Sequence, residues 1–283
     1  CRDRATALGV DTVGAEIVAP VTAHPAFNKA AHLMNLRVMR VPVAADFTAD
    51  ATAMAAAITE RTIMVVGSAP CFPYGLVDPI PEIAAVAARH DLWCHVDACV
   101  GGYFSPFAEQ VGVELPVWDF REPGVWSISA DLHKYGYAPK GASTVLYRSA
   151  ELYAHQPFSF DVWPSGQMTT PTLHGTRPGG AIAGAWAVLQ HLGYAGYRQT
   201  TRDVLEARSV IEAGAAAFGF TSVGAPQLGL VALTHAEKDV MAIANAMAAR
   251  GWVSSRTATP PAIHLMLSPA HKQFAQDYLR DLE

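Results

Sequence analysis

The chain predicts an α/β fold, a mostly parallel sheet with helices on both faces, followed by a small C-terminal α+β unit. Two observations lead there. Short apolar, β-branched runs alternate with helix-periodic segments through the first half, which is the pattern of strands joined by helical crossovers. Beyond about residue 200 the order changes to strand, helix, strand, strand, helix, which suits a second sheet of its own. A chain of 283 residues that is 51% hydrophobic and 16% charged has enough apolar material for a large core and a smaller unit beside it. The expected division is 1–200 for the large unit and 201–283 for the small one.

Taken in order, Ala15–Val18 is a short strand ending at Pro20, Ala26–Met34 has helical spacing, and Arg37–Val41 is a second strand. The alanine-rich segment Asp50–Ile58 is a helix and Thr62–Val66 a β-branched strand. Ser68–Gly75 holds two prolines and a glycine and is a loop. Pro81–His90 is a helix with proline at its start, where the missing N–H does no harm, and Leu92–Val96 is the next strand. Val125–Ile128 and Ala142–Tyr147 are strands that flank a short turn. The proline- and glycine-rich stretch 157–180 is irregular. Helices follow at Ala181–Leu192 and Thr201–Phe218, then strand Leu228–Leu233, helix Lys238–Arg250, strands Trp252–Arg256 and Ile263–Leu267, and helix Ala270–Leu282.

The formal net charge of -5 gives no reason to expect nucleic acid, and no apolar run reaches the ~20 residues that span a bilayer. Four cysteines, Cys1, Cys71, Cys94 and Cys99, have no metal-like pairing and suit reduced thiols of a cytoplasmic protein. The opening residues resemble neither a signal peptide nor an initiator methionine, so an N-terminal part is expected to lie outside this chain.

Chemistry concentrates at strand ends. Right-handed crossovers bring the carboxyl ends of parallel strands to one edge, where open α/β sheets bind ligands. Lys134 sits on the turn after Val125–Ile128, and an amine in such a position can attack a carbonyl and hold it as a Schiff base. On its own it reads more readily as an ordinary surface lysine in a loop. Asp97 ends the strand before Ala98-Cys99-Val100-Gly101-Gly102, where it could hold a protonated ring nitrogen or cap a helix. His24, after the first strand, could stack on a flat ring or be solvated, and His95 suits a satisfied core or near-site histidine.

These residues stand in motifs that come in a familiar order: Ala23-His24-Pro25-Ala26-Phe27-Asn28-Lys29, Pro70 to Gly75, His95-Val96-Asp97-Ala98-Cys99-Val100-Gly101-Gly102, Ser127 to Gly141 and Gly175-Thr176-Arg177-Pro178-Gly179-Gly180. Together with Trp118-Asp119-Phe120-Arg121 they resemble, over essentially the whole chain, the sphingosine-1-phosphate lyases, a branch of the pyridoxal-phosphate group II decarboxylases with fold type I.

The resemblance implies pyridoxal 5'-phosphate as cofactor, held as a Schiff base on Lys134, with His133 beside it, Asp97 on the pyridinium nitrogen and His24 stacked on the ring. Lys134, His133, Asp97 and His24 would form the catalytic group. Lys140 is similar to a family lysine that helps hold phosphate, Thr176 to one that reaches phosphate across a homodimer interface, and Ala98 joins the cofactor-binding set. The implied reaction is carbon–carbon cleavage of a phosphorylated long-chain amino alcohol to a fatty aldehyde and ethanolamine phosphate. A pyridoxal-dependent amino-acid decarboxylase and an inactive assembly partner are the alternatives. The family's Gly-Gly-Thr-Glu-Ser-like phosphate loop does not occur in this sequence; Cys71 stands where an amide is common; Met168-Thr169-Thr170 and Leu173-His174 depart from the family in a substrate-facing stretch.

Overall fold

The computed structural model describes residues 1–283. After a short helix α1 (Arg2–Ala7), strands and helices alternate as β1 (Glu16–Pro20), α2 (Ala26–Leu33), β2 (Arg37–Val41), α3 (Ala51–Ala56), β3 (Thr62–Ser68), α4 (Ile80–Arg89), β4 (Trp93–Asp97), α5 (Ser105–Gln110), β5 (Ser127–Ala130) and β6 (Thr144–Tyr147). The six strands form one sheet in the order β2-β1-β3-β4-β5-β6, parallel throughout except that β6 returns antiparallel to β5. Strands β1, β3 and β4 are buried along their whole length, as strands covered on both faces must be.

The rest of the chain comprises α6 (Ala150–Tyr153), a hairpin of β7 (Phe158–Phe160) and β8 (Met168–Thr170), α7 (Gly180–Ala217), β9 (Phe220–Ser222), β10 (Leu230–His235), α8 (Val240–Ala249), β11 (Ser255–Ala258), β12 (Pro261–Met266) and α9 (His271–Leu282). Strands β11-β12-β10-β9 make an antiparallel four-stranded sheet. No helix is long and apolar enough to cross a membrane.

Several elements differ from the expectation. The two helices of 181–218 are joined at Gly193, whose φ of 52° kinks α7 where a loop was expected, so residue 200 lies inside a helix. The strand expected from Trp252 begins at Ser255, because the Trp252 N–H turns back to the Met247 carbonyl at 3.0 Å and closes the end of α8. The stretch 157–180 contains the β7–β8 hairpin. One hydrophobic cluster of 40 buried residues runs through both sheets, from Ile80 and Val96 through Tyr135 and Val204 to Leu230, Ile263 and Leu279.

Two buried polar groups tie this framework together. The Tyr135 hydroxyl lies 2.9 Å from the Gly229 carbonyl and 2.8 Å from that of Leu267, fastening the turn after β5 to the small sheet. Only glycine fits at position 229, because a Cβ there would strike the Tyr135 hydroxyl. Asp78, with no exposed surface, accepts from the Ala49 N–H at 2.8 Å and the Ser68 N–H at 2.7 Å. It thereby holds the end of β3 to the loop before α3.

Burial pushes the Asp78 carboxyl up to about 7 against the pull of those two amides. The folded chain therefore keeps this proton at a pH where the unfolded chain, with an aspartate value of about 3.9, has lost it. The stability so contributed is complete at low pH and is lost as the pH rises from about 4 to about 7. Asp78→Asn turns an amide donor toward one of two backbone donors, so unfolding in urea should show a loss of about 1–3 kcal/mol. The slope of stability against pH in that window should also flatten.

Candidate active site

Parallel register sets the site. Ser68 of β3 pairs with Asp97 of β4, and Asp97 with Ser129 of β5, so three strand ends stop at one level. β1 runs parallel to them, and His24 follows it on the same edge. The turn after Asp97 is built for close approach: a Cβ on Gly101 would collide with the Ala69 carbonyl, and one on Gly102 would lie 2.5 Å from the Ala130 Cβ. Ala98 is buried in this turn, its N–H directed to the Val96 carbonyl at 3.1 Å.

Asp97 is 9% exposed. Its Oδ1 accepts from the Cys99 N–H at 3.1 Å and from the Ser129 hydroxyl at 3.2 Å, while no group of the chain donates to Oδ2. Past the end of β5, the Lys134 amine lies 3.0 Å from Asp131 Oδ2, with its side chain a quarter exposed at 25%. His133 lies 3.6 Å from the same oxygen through Nε2, and its Nδ1 donates to the Ala142 carbonyl at 2.9 Å. The Ser143 hydroxyl donates to Asp131 Oδ1. Burial pushes the Asp131 carboxyl up, but the Ser143 and Lys134 hydrogen bonds outweigh it and hold the group below the ordinary carboxylate range.

The His24 Nδ1 accepts from the Ala26 N–H at 3.1 Å, which orients the ring at the start of α2. Arg40 from β2 clamps this loop, donating to the Pro20 carbonyl at 2.8 Å, the Ala23 carbonyl at 2.6 Å and the Asn28 side chain. His95 is buried, as a satisfied histidine should be, within 2.7 Å of the Ser127 hydroxyl and 3.2 Å of that of Ser129.

The structure thus gathers Asp97, His133 and Lys134 at one sheet edge, with His24 on the same edge but making no hydrogen bond to them. Lys140 is exposed and unpaired, and Thr176 and Arg177 lie on an exposed stretch with no hydrogen bond to the rest of the chain. Sequence reasoning missed Asp131, Ser143 and Arg40. The first had a signal, a carboxylate three residues before the lysine in one tight turn; the other two reach their partners through space alone.

Residues 14–234 match the family described as the pyridoxal-dependent decarboxylase conserved domain. A sphingosine-1-phosphate lyase of Arabidopsis thaliana is 41% identical over 268 residues, 94% of this chain and 49% of that protein. The structure of a sphingosine-1-phosphate lyase from Burkholderia pseudomallei superposes with a TM-score of 0.95 at 37% identity, covering 99% of this chain and 64% of that one. A probable L-tyrosine/L-aspartate decarboxylase of Methanothermobacter thermautotrophicus is 33% identical over 95% of this chain and 74% of its own length. The chain spans about half the length of the curated lyases it matches. The resemblance read from the motifs and the expected fold are both met, and the chain belongs to the pyridoxal-dependent decarboxylase family.

Proposed function

We propose that this chain carries the catalytic core of a carbon–carbon lyase that cleaves a phosphorylated long-chain amino alcohol of the sphingosine-1-phosphate kind to a fatty aldehyde and ethanolamine phosphate. The observation that carries the reading is the similarity to sphingosine-1-phosphate lyases at 41% identity over nearly the whole chain. An amino-acid decarboxylase is the second reading, favoured by the Methanothermobacter relative, of which this chain covers 74%.

The family brings pyridoxal phosphate as cofactor, and the residues at the sheet edge fit it. Asp97 has one oxygen held by the chain and one open to a protonated ring nitrogen, and Lys134 offers an amine within a small turn. When bound, the cofactor supplies an electron-poor ring that takes up the electron pair of a breaking bond. In this reading Asp97 would hold the proton on the ring nitrogen, His24 would cover the ring face, and Lys134 would anchor the cofactor through its amine. Asp131 pairs with that amine at 3.0 Å and would hold it in position, and His133 is kept in place by its bond to the Ala142 carbonyl. Lys140, Thr176 and Ala98 remain the further cofactor-binding positions that the resemblance implies.

A dimer with shared sites belongs to the same reading. The stretch bearing Thr176 and the first half of α7 expose large apolar groups, among them Leu173 at 95% and Trp186 at 66%, together with Val162, Ile182 and Tyr194. Apolar groups massed in one region of a surface mark an interaction face. Four free thiols, with Cys71 and Cys94 fully buried, support a reducing compartment such as the cytoplasm.

Supplied with a phosphorylated long-chain amino alcohol, the protein should release a fatty aldehyde and ethanolamine phosphate; carbon dioxide from an amino acid would instead select the second reading. Borohydride should fix the cofactor to the peptide that contains Lys134, and a label on Lys140 or Lys29 would remove that lysine from its role. Asp97→Ala should bind cofactor yet lose about a thousandfold in turnover, ~4 kcal/mol of barrier, as steady-state kinetics would read. Mixing Lys134→Ala chains with Thr176→Ala/Arg177→Ala chains should restore part of the activity. Verified mixed dimers that stay inactive would mean each site is built within one chain.

A further inference from the structure

Behind Asp97 lies a line of side chains that the proposed reaction leaves unused. Residues two apart on a strand share a face, so Trp93, His95 and Asp97 of β4 project to one side, and Ser127 and Ser129 stand beside them on β5, paired with His95 and Asp97. The contacts run without a gap. Trp93 Nε1 is 2.7 Å from the Ser127 hydroxyl, which is 2.7 Å from His95 Nδ1. His95 Nε2 is 3.2 Å from the Ser129 hydroxyl, which is 3.2 Å from Asp97 Oδ1. The Cys99 thiol also reaches the Ser129 hydroxyl, at 3.3 Å.

Only one order of hydrogens satisfies every member. The Trp93 indole can only donate, so the Ser127 oxygen accepts there, and its own hydrogen finds a partner only at His95 Nδ1. A neutral imidazole that accepts at Nδ1 must donate from Nε2, and this fills the Ser129 oxygen beside the Cys99 thiol. The single hydrogen of Ser129 is then free for Asp97. In the reverse order the buried Ser127 hydroxyl hydrogen has no acceptor, and the Ser129 hydrogen is drawn to the imidazole and away from the carboxylate. Burial supports the neutral ring, pushing the His95 imidazole down to about 4, with the Asp97 charge offsetting part of that. The Phe27 ring packs edge-on against it, 5.8 Å between centroids.

We propose that His95 is a positioning residue for the pyridoxal site: it acts through Ser129 to fix the Asp97 carboxylate with Oδ1 held by the chain and Oδ2 turned to the cofactor. The inference rests on the reading of Asp97 as partner of the ring nitrogen. It assigns a purpose to a histidine, two serines and an indole that would otherwise be unexplained polar groups between two buried strands. Hydrogen bonds aligned in one direction also polarise one another, so the carboxylate at the end receives a stronger donor than an isolated serine would be.

Nitrogen-15 imidazole spectra of the protein without cofactor test the order directly, the His95 signal being assigned by its loss in His95→Phe. The expected result is hydrogen on Nε2 and none on Nδ1; hydrogen on Nδ1 overturns the relay. Kinetics of the loaded protein give the second measurement. Ser129→Ala should lower kcat about tenfold or more with KM little changed, as loss of a supporting hydrogen bond does, and Ser129→Thr should recover most of it. An unchanged kcat in Ser129→Ala, or no recovery with threonine, overturns the role. The two readings fail separately. Near-normal turnover of Asp97→Ala removes the assignment of Asp97 and with it the purpose of the relay. A reversed His95 tautomer alongside an inactive Asp97→Ala removes the relay alone.

Discussion

Everything at the sheet edge depends on the common register of β3, β4 and β5. Ser68, Asp97 and Ser129 are paired across three strands, and that pairing decides what the following turns can reach. A slip of one residue in β4 would send Asp97 to the opposite face and put Val96 in its place. The register is protected from both sides. Asp78 pins the end of β3 through the Ser68 amide, and the all-buried β4 can satisfy its apolar and polar faces in only one alignment. The glycines after Asp97 then let the chain turn close under Ala69 and Ala130, and the turns after β4 and β5 meet where the Asp131 N–H reaches the Cys99 carbonyl at 3.2 Å.

Much of this was legible in the sequence because it is local. Apolar runs placed β1 to β5, proline and helical spacing placed α4, and the lysine after a strand followed by a second strand described the β5–β6 connection. What was not legible is either short or non-local. β7, β8 and β9 are three residues each, too few to show alternation. Trp252 looked like the start of a strand, but its amide is consumed by the end of α8.

The site divides along the same line. Asp97, His133 and Lys134 could be picked out because each stands in a recognisable block of chain. Their partners could not, with one exception. Ser143 meets Asp131 twelve residues away across a hairpin, and Arg40 reaches back to the loop of His24 from the neighbouring strand. Asp131 was within reach of a closer reading, since one tight turn carries it to the lysine. The satisfied state of His95 could be expected from its place inside a strand; its alignment with Ser127 and Ser129 needed the pairing of β4 with β5.

The Tyr135 hydroxyl has a mechanical meaning as well. It is the residue next to Lys134, and its bond to the carbonyls of Gly229 and Leu267 makes the small sheet part of the seat on which the lysine rests. Tyr197 from α7 adds a second rivet, donating to the Gly136 carbonyl at 2.8 Å. With two consecutive residues of the lysine turn riveted to the body behind it, hinge motion between the two sheets would carry the lysine along. The lysine turn and the small sheet behind it therefore form a single block.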